Sequence, residues 1–573
     1  MLLDDIGQRF LERAVELVKS GYKFVFVLDN IDWEERVHDM RKDNQNMSVH
    51  AVATTIVFNR VPDEKLPDSE PQQDLRKCNV HQLVKLTASE IESIRKRYCS
   101  PDERQKKYAE CVDVLDKLED WTHQIYFAAG LCQSSESTPS SDSICAPTLP
   151  ASSSSVPAPS LPAASGLFSA QSLPASSGSI PAVQLSSRPD QPASHIPPTS
   201  SGEDPLHGDR VPCFGDQLTR VRLAGAKDLH AGCHTARQRL DHLYPFCIVD
   251  WHTKRSYLKS VFKRLYKSSA REKGTIRYFR EKLNRRNVTL DVKHFEDCEQ
   301  LFMSMGKCFV VEALLEFFQM TDTKQKPSQN APNSLDEEQK DVYIITTVEK
   351  FLDEYVFSAT NDGDDACMRD SVLSYSVNLM ASFLLLADLK NAVKSGNGEY
   401  LAVLRKQAAG TFLQYSWLQE FAIEMLINIL QCQVLLTEAE AHQCKWAATV
   451  NWHGSSGKNI EIDLFQENQN SEMKKLIKSM GANKSEQAIS QASKACGGVK
   501  KIVQSYEEHV NIHRKSSSHS HKSTLNDETV ILGDLRDLRP FKNVIGREFE
   551  SFQDISANPM KKFDSAKFQT WIK

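Results

Sequence analysis

No two of the chain's 14 cysteines form a CxxC pair. That argues against a zinc finger, a zinc ribbon and a thioredoxin-like redox site, all of which need closely spaced thiols. The amino end, "MLLDDIGQRF", has no basic region of the kind that opens a secretory signal. A disulfide framework is therefore not expected, and the thiols are expected to pack as small hydrophobes. Long apolar runs are missing too: "LMASFLLLA", Leu379 to Ala387, falls well short of the roughly 20 residues that span a bilayer. The net charge is only -5 over 573 residues, so the overall field names no partner and any affinity for a polyanion must come from local patches. Nothing points to a small-molecule substrate. The expectation is a soluble protein, nuclear or otherwise intracellular and not secreted.

What is present is enough apolar sequence, 40% of residues, to bury a sizeable core in two to four domains. Patterning divides the chain. Residues 1–133 read as the first part of an α/β core: a helical spacing over Leu3, Ile6, Phe10, Ala14 and Leu17 closed by Gly21, a strand from Phe24 to Leu28, and a β-branched stretch from Val49 to Phe58. From Ala88 to Phe127 the pattern is helical. Residues 134–206 turn into Ser, Pro and Ala with little charge or periodicity, a composition that cannot offset chain entropy by burial and reads as disordered linker. Residues 207–290 resume the α/β pattern with two short strands, "VPCFGD" and "PFCIVD", and then basic helices. Residues 291–446 are helical at the 3.6 period. Residues 447–510 carry a helix that starts near Ile462 and closes at Gly481, and 511–573 are a polar loop and tail. The fold class expected is α/β with a large all-α insertion.

Two apolar strands run into acids, Asp29 in "KFVFVLDNIDWEE" and Asp216 in "CFGDQLT", and a third acid, Glu467, sits on the helix with Leu464, Met473 and Ile477. In open α/β sheets ligand sites lie beyond the carboxyl ends of strands, so acids far apart in sequence can meet there. Converging carboxylates repel unless a cation lies between them. Mg2+ or Mn2+ held by such oxygens activates a water or a 3′-hydroxyl for phosphodiester displacement. A plainer role for these acids is also open. Asp-Asn after a strand is a turn signal, Asp216 can cap the helix that follows, and Asp32, Asp39, Glu461 and Asp463 are rivals, the last sharing a helical face with Glu467.

From Lys254 to Arg286 thirteen Lys and Arg residues stand against two Glu. Lys254, Arg255, Lys259, Lys263, Arg264, Lys267 and Arg271 are the candidates for contact with DNA phosphates. The interleaved Tyr257, Phe262, Tyr266, Tyr278 and Phe279 have the spacing of a buried helical stripe, although stacking on unpaired bases is an alternative. Three other features are set aside. "HGSSGKN" lacks Walker spacing, Cys233 and His234 are adjacent and have no visible partner, and the run with His513, His519 and His521 reads as a solvated loop rather than a metal site.

The stretches "DNIDWEERVHDM", "NQNMSVHAV", "FGDQLT", "DWH", "LYKSSAREKGT", "HGSSGKNIEIDLFQEN", "MGANKSEQAI" and "NPMKKFDSAKFQTWI" resemble a transposon-associated family classed as a domain of unknown function. Its layout is similar to that of DDE transposases, whose RNase H-like catalytic fold is interrupted by a helical insertion. The resemblance implies an RNase H-like mixed sheet, with Asp29, Asp216 and Glu467 as metal-holding catalytic acids. Asp250 and His252 then match the short signature after the second acid, with His252 supporting the site. It also implies a DNA partner, metal-dependent strand cleavage or transfer, and a possible homo-oligomer. Members tend to carry His on either side of the third acid, where this chain has Phe465 and Asn468. The alternative is therefore an inactive or domesticated derivative that serves as a DNA-binding or protein-interaction scaffold. A purely helical interaction protein would require the strands of Asp29 and Asp216 not to pair.

Overall fold

The computed structural model describes residues 2–35, 40, 45–63, 65–73, 118–129, 206, 208–331, 343, 346–348, 350–352, 354–355, 370–412, 419–452, 454–481, 484–512 and 523–555. Nearly all of the Ser/Pro-rich segment, most of Ala88 to Phe127, the His513, His519 and His521 run, and "NPMKKFDSAKFQTWI" lie outside the described residues.

Helix α1 (Leu2–Lys19) ends at Gly21, whose φ of +84° suits a residue without a Cβ. Strand β1 (Phe24–Glu35) then pairs antiparallel with β2 (Met47–Phe58), and β3 (Val211–Gly215) and β4 (Leu243–Ile248) add on the other side in parallel. The result is a mixed four-stranded sheet of order β2-β1-β3-β4. Pairing of β1 with β3 rules out the purely helical reading. One correction concerns β1 itself. It does not stop at Leu28 but continues through Asp29 to Glu35, because the hairpin with β2 supplies ladder partners along its whole length. Asp29 is thus inside a strand, and Asp32 is tied up across the hairpin with His50 at 2.8 Å.

Alternation along β1 decides the layers. Phe24, Phe26 and Leu28 enter one apolar cluster with Val18, Leu118, Trp121, Ile125 and Leu223. That layer holds the helix at 118–128 and α2 (Gln217–Leu229). Val25 and Val27 face the other way, into a larger cluster with α3 (Asp250–Leu265), α4 (Ile276–Lys282), α5 (Phe295–Phe317), α6 (Ser371–Ser395) and α7 (Gly398–Phe412). Helices α8 (Gln419–Leu430) and α9 (Glu438–Trp446) complete the helical block. A two-residue hairpin follows, β5 (Thr449–Val450) with β6 (Ile460–Glu461), and "HGSSGKN" is the loop between its strands. Helices α10 (Ile462–Ser479) and α11 (Glu486–His509) cover the β1–β2 hairpin through Ile31, Ala51, Met473, Ile477 and Ile489, and α12 (Leu525–Leu538) packs on α5. The helical block therefore shares one continuous apolar core with the sheet.

Gly306 on α5 sets how closely that block packs, since a Cβ there would lie within 2.1 Å of two atoms of the Phe383 side chain on α6. Among the described helices, α6 is the one long and apolar enough by composition to cross a bilayer, and it lies mostly inside the core. Its Tyr375, Ser376 and Asn378 are buried there too. The described cysteines are free thiols, nearly all buried.

Two charged pairs are buried between sheet and block. Arg220 of α2 meets Glu424 of α8. Arg405 of α7, 2% exposed, grips Asp250 through two nitrogens and also reaches Asn428. Asp250 is thereby committed to the interior and takes no part in the acid cluster described below. Removing one partner of such a pair leaves an uncompensated buried charge. Arg405→Met is expected to cost about 3–5 kcal/mol in urea unfolding, and Asp250→Leu with Arg405→Met to recover most of it. A single-variant loss below about 1 kcal/mol would refute this role for the pair.

Candidate functional site

Strand register brings the first two acids together. Val27 of β1 stands opposite Phe214 of β3, so two residues on, where β3 has just ended at Gly215, Asp29 comes level with Asp216. On the other flank Gly215 pairs with Ile248, which puts the first turn of α3, with His252, beside the same strand ends. Asp216 is the N-cap of α2, its Oδ1 accepting from the Thr219 amide at 2.7 Å. The turn-and-cap role and the placement at a strand end hold for the same residue.

Helix α10 crosses this edge and supplies the rest. Its buried positions are Ile462, Asp463, Phe465, Gln466, Asn470, Met473 and Ile477, so the polar ones fall in the first half and the second half is apolar. Asn470 donates from Nδ2 to Asp29 Oδ2 at 2.8 Å, and its own Oδ1 accepts from Gln466 Nε2 at 2.9 Å, which fixes the amide's orientation. Asp463 accepts from the backbone amides of Trp251 and His252 at 3.1 and 3.0 Å, capping α3 from outside, and also takes His252 Nδ1 at 3.0 Å. With Nδ1–H donated to Asp463, His252 turns Nε2 toward Glu467, 4.0 Å from Oε1. Glu467 is open, its side chain 39% exposed, whereas Asp29 is 8% exposed.

The charges feel one another. Burial first, then the Glu467 charge, push the Asp29 carboxyl up to about 7, Asp216 adding to the rise and His252 opposing it. Burial acts to lower the His252 imidazole, but the Asp463 hydrogen bond and charge outweigh it, with help from Asp216 and Asp29, and raise it above its ordinary value. The cluster thus sets one imidazole among four carboxylates, Asp29, Asp216, Asp463 and Glu467, and it is Asp29 that is pushed toward its neutral form.

Beside Glu467, a groove of about 380 Å³ runs past Ser471 along Lys474, Lys475 and Lys478. These lysines and Asn470 are functional candidates that the sequence did not single out, whereas Asp463, a rival acid there, enters as the partner of His252. The signal was there in the form of a stripe spaced at i, i+3 and i+7 from Asp463, polar where a core helix would be apolar.

The basic stretch from Lys254 is divided by the fold. Lys254 does not face solvent. It is buried against Glu461 at 2.6 Å, because its turn of α3 lies under β6, and the nearby Glu461 and Glu299 carboxylates help hold its ammonium charged against burial. Lys267 is exposed but folds back on the Ser551 carbonyl and the Phe552 ring. Lys263 lies 3.8 Å from Asp291. Arg255 and Arg271 are exposed, and Lys259 and Arg264 are partly covered. Tyr257, Phe262, Tyr266 and Phe279 are core, as their stripe implied. Cys233 and His234 sit in turns, their carbonyls accepting from Arg239.

No curated protein and no solved structure matches this chain. The model of a family of unknown function, DUF6589, matches residues 198–519, a span that contains Asp216, His252, Asp463 and Glu467 and begins after Asp29. With more than half of its 573 residues inside that match, the chain belongs to the DUF6589 family.

Proposed function

We propose that this chain is a transposon-derived, DDE transposase-like protein with an RNase H-like core, whose chemistry is metal-dependent phosphoryl transfer on DNA. The observation that carries the proposal is the meeting of Asp29, Asp216 and Glu467 at one edge of the sheet, close enough for Glu467 and Asp216 to raise Asp29. The mixed sheet interrupted by a helical block is the layout this reading expects. An all-carboxylate donor set suits a hard divalent cation, Mg2+ or Mn2+, better than a softer metal. Such an ion would relieve the repulsion, and when bound it activates an attacking oxygen and stabilises the leaving one.

The chain's own residues have separable tasks. Asn470 fixes the Asp29 carboxylate, and the α2 cap fixes Asp216. Asp463 sets the tautomer of His252, which leaves Nε2 beside Glu467, at the mouth of the groove, to hold or deliver a proton. The Lys474 and Lys478 ladder lines the groove leading to Glu467, a suitable track for a phosphodiester backbone.

Purified protein is expected to nick supercoiled DNA with Mg2+ or Mn2+, with Asp29→Asn, Asp216→Asn and Glu467→Gln each lowering the rate at least about 100-fold. Absence of cutting with both ions, or variants that cut as well as the parent, would defeat the catalytic reading. DNA binding without cutting would favour the scaffold derivative. Lys474→Glu with Lys478→Glu should weaken DNA binding and reduce the slope of log affinity against log salt by about 2, leaving Mn2+ affinity in place. An unchanged slope would remove the groove from the model.

The pH response has a defined sign. The folded value of Asp29, about 7, is above its ordinary 3.8, so the folded, metal-free chain binds this proton more tightly than the unfolded chain does. The stabilisation it gives is complete below about 4 and lost as pH rises to about 7. The raised His252 imidazole likewise contributes stability that fades with rising pH. Metal-free melting temperature should thus fall between pH 5 and 8, with Mn2+ restoring more at pH 8 than at pH 5. Asp29→Asn should flatten both trends. Equal Mn2+ effects at both pH values would contradict the assignment.

A further inference from the structure

A second cluster of ligating side chains lies at the other end of the sheet. Glu119 and His123 are one turn apart on the helix at 118–128, so they share a face. His242 immediately precedes β4, its carbonyl accepting from the Val211 amide at 2.7 Å where β3 begins. The acids of the first site stand beyond the carboxyl ends of these strands, and this cluster stands at their amino ends, on the order of 20 Å away at the rise of a strand.

One ligand atom from each of Glu119, His123 and His242 lies within 4.8 Å of the others. His123 Nε2 is 3.4 Å from Glu119 Oε1, and His242 Nδ1 meets the same oxygen. Tetrahedral zinc, with bonds of about 2.0–2.1 Å, spaces its ligand atoms about 3.3 Å apart. The two imidazoles meet edge to face with centroids 5.0 Å apart. Glu119 and His242 are each 1% exposed, and the His123 side chain is 12% exposed.

Hydrogen bonding alone leaves this triad incomplete. Glu119 Oε2 is buried without a hydrogen-bond partner among the described residues, and His123 Nε2 has only its long 3.4 Å approach to Glu119 Oε1. A buried polar atom left unpaired or poorly paired is costly. A cation bound by both imidazoles and the carboxylate would satisfy them at once.

We propose that Glu119, His123 and His242 form a zinc site, separate from the acid cluster, that fastens the helix at 118–128 to the amino end of β4. The two-imidazole, one-carboxylate set is softer than the all-carboxylate set and so selects a different metal. Its ligands come from opposite sides of the Ser/Pro-rich segment, so the metal would tie the two sequence halves of the α/β core together. This helix packs on the sheet through Leu118, Trp121 and Ile125, and the metal would add a polar fastening beside that apolar face.

The test is metal content of the full chain produced in zinc-supplemented medium and passed through a desalting column. About one zinc per chain is expected, with a lower melting temperature after chelation and the visible bands of tetrahedral cobalt when Co2+ replaces zinc. His123→Gln, the least buried of the three positions, and His242→Gln should each cut zinc content at least tenfold. Asp29→Asn with Glu467→Gln should leave it unchanged, which separates this result from any failure of the nuclease reading. Zinc below about a tenth per chain with no uptake from micromolar solution would overturn the proposal. So would zinc that survives both His variants but is lost when His513, His519 and His521 are replaced. Should the His242 variant not fold, the zinc content of the parent and of His123→Gln decides the matter.

Discussion

The candidate site depends on how α10 docks. A helix usually lies on a sheet by burying an apolar stripe, and the second half of α10 does so with Met473 and Ile477. The first half buries Ile462 and Phe465 and adds hydrogen bonds: Asp463 closes the amino end of α3, and Asn470 reaches Asp29 across the sheet face. Polar docking is directional where apolar docking is not, so it fixes the rotation of α10 as well as its position. That rotation leaves Glu467 beside His252 and at the rim.

Around this contact the chain keeps charge in two different states. Where structure alone is served, buried charges meet opposite charges, as in Arg405 with Asp250, Arg220 with Glu424 and Lys254 with Glu461 and Glu299. At the strand ends the balance fails, and Asp29 carries the failure as a carboxyl raised to about 7. Imbalance of this kind is costly in a fold and marks places where a ligand completes the charge. The cluster of Glu119, His123 and His242 has a related character, with three ligand atoms gathered together and Glu119 Oε2 left without a hydrogen-bond partner among the described residues.

Much of the architecture was legible in the sequence because it rests on local periodicity. Gly21 closed α1, the β-branched run became β2, and α10 starts and stops where Ile462 and Gly481 indicate. The aromatics between Tyr257 and Phe279 are core because their spacing on α3 and α4 faces them inward. Less legible was the extent of β1. "DNIDWEE" looks like a turn by composition, but a twelve-residue partner strand overrides that local preference.

What the sequence determined by itself was therefore most of the helix and strand segments, which faces are apolar, and that Asp216 follows directly on a strand. Each follows from interactions between residues a few positions apart. Which charged residues remain available was decided only by the tertiary structure. Lys254 and Asp250 read as surface and signature residues, yet each found a buried counter-charge far along the chain, in Glu461 and Arg405. Asn470 reads as an ordinary helix position and Asp463 as a rival acid until α10 is laid across α3 and β1. The physical reason is range. Periodicity is set by backbone geometry within a turn or two, whereas the pairing of a charge depends on whichever group the folded chain brings within about 4 Å.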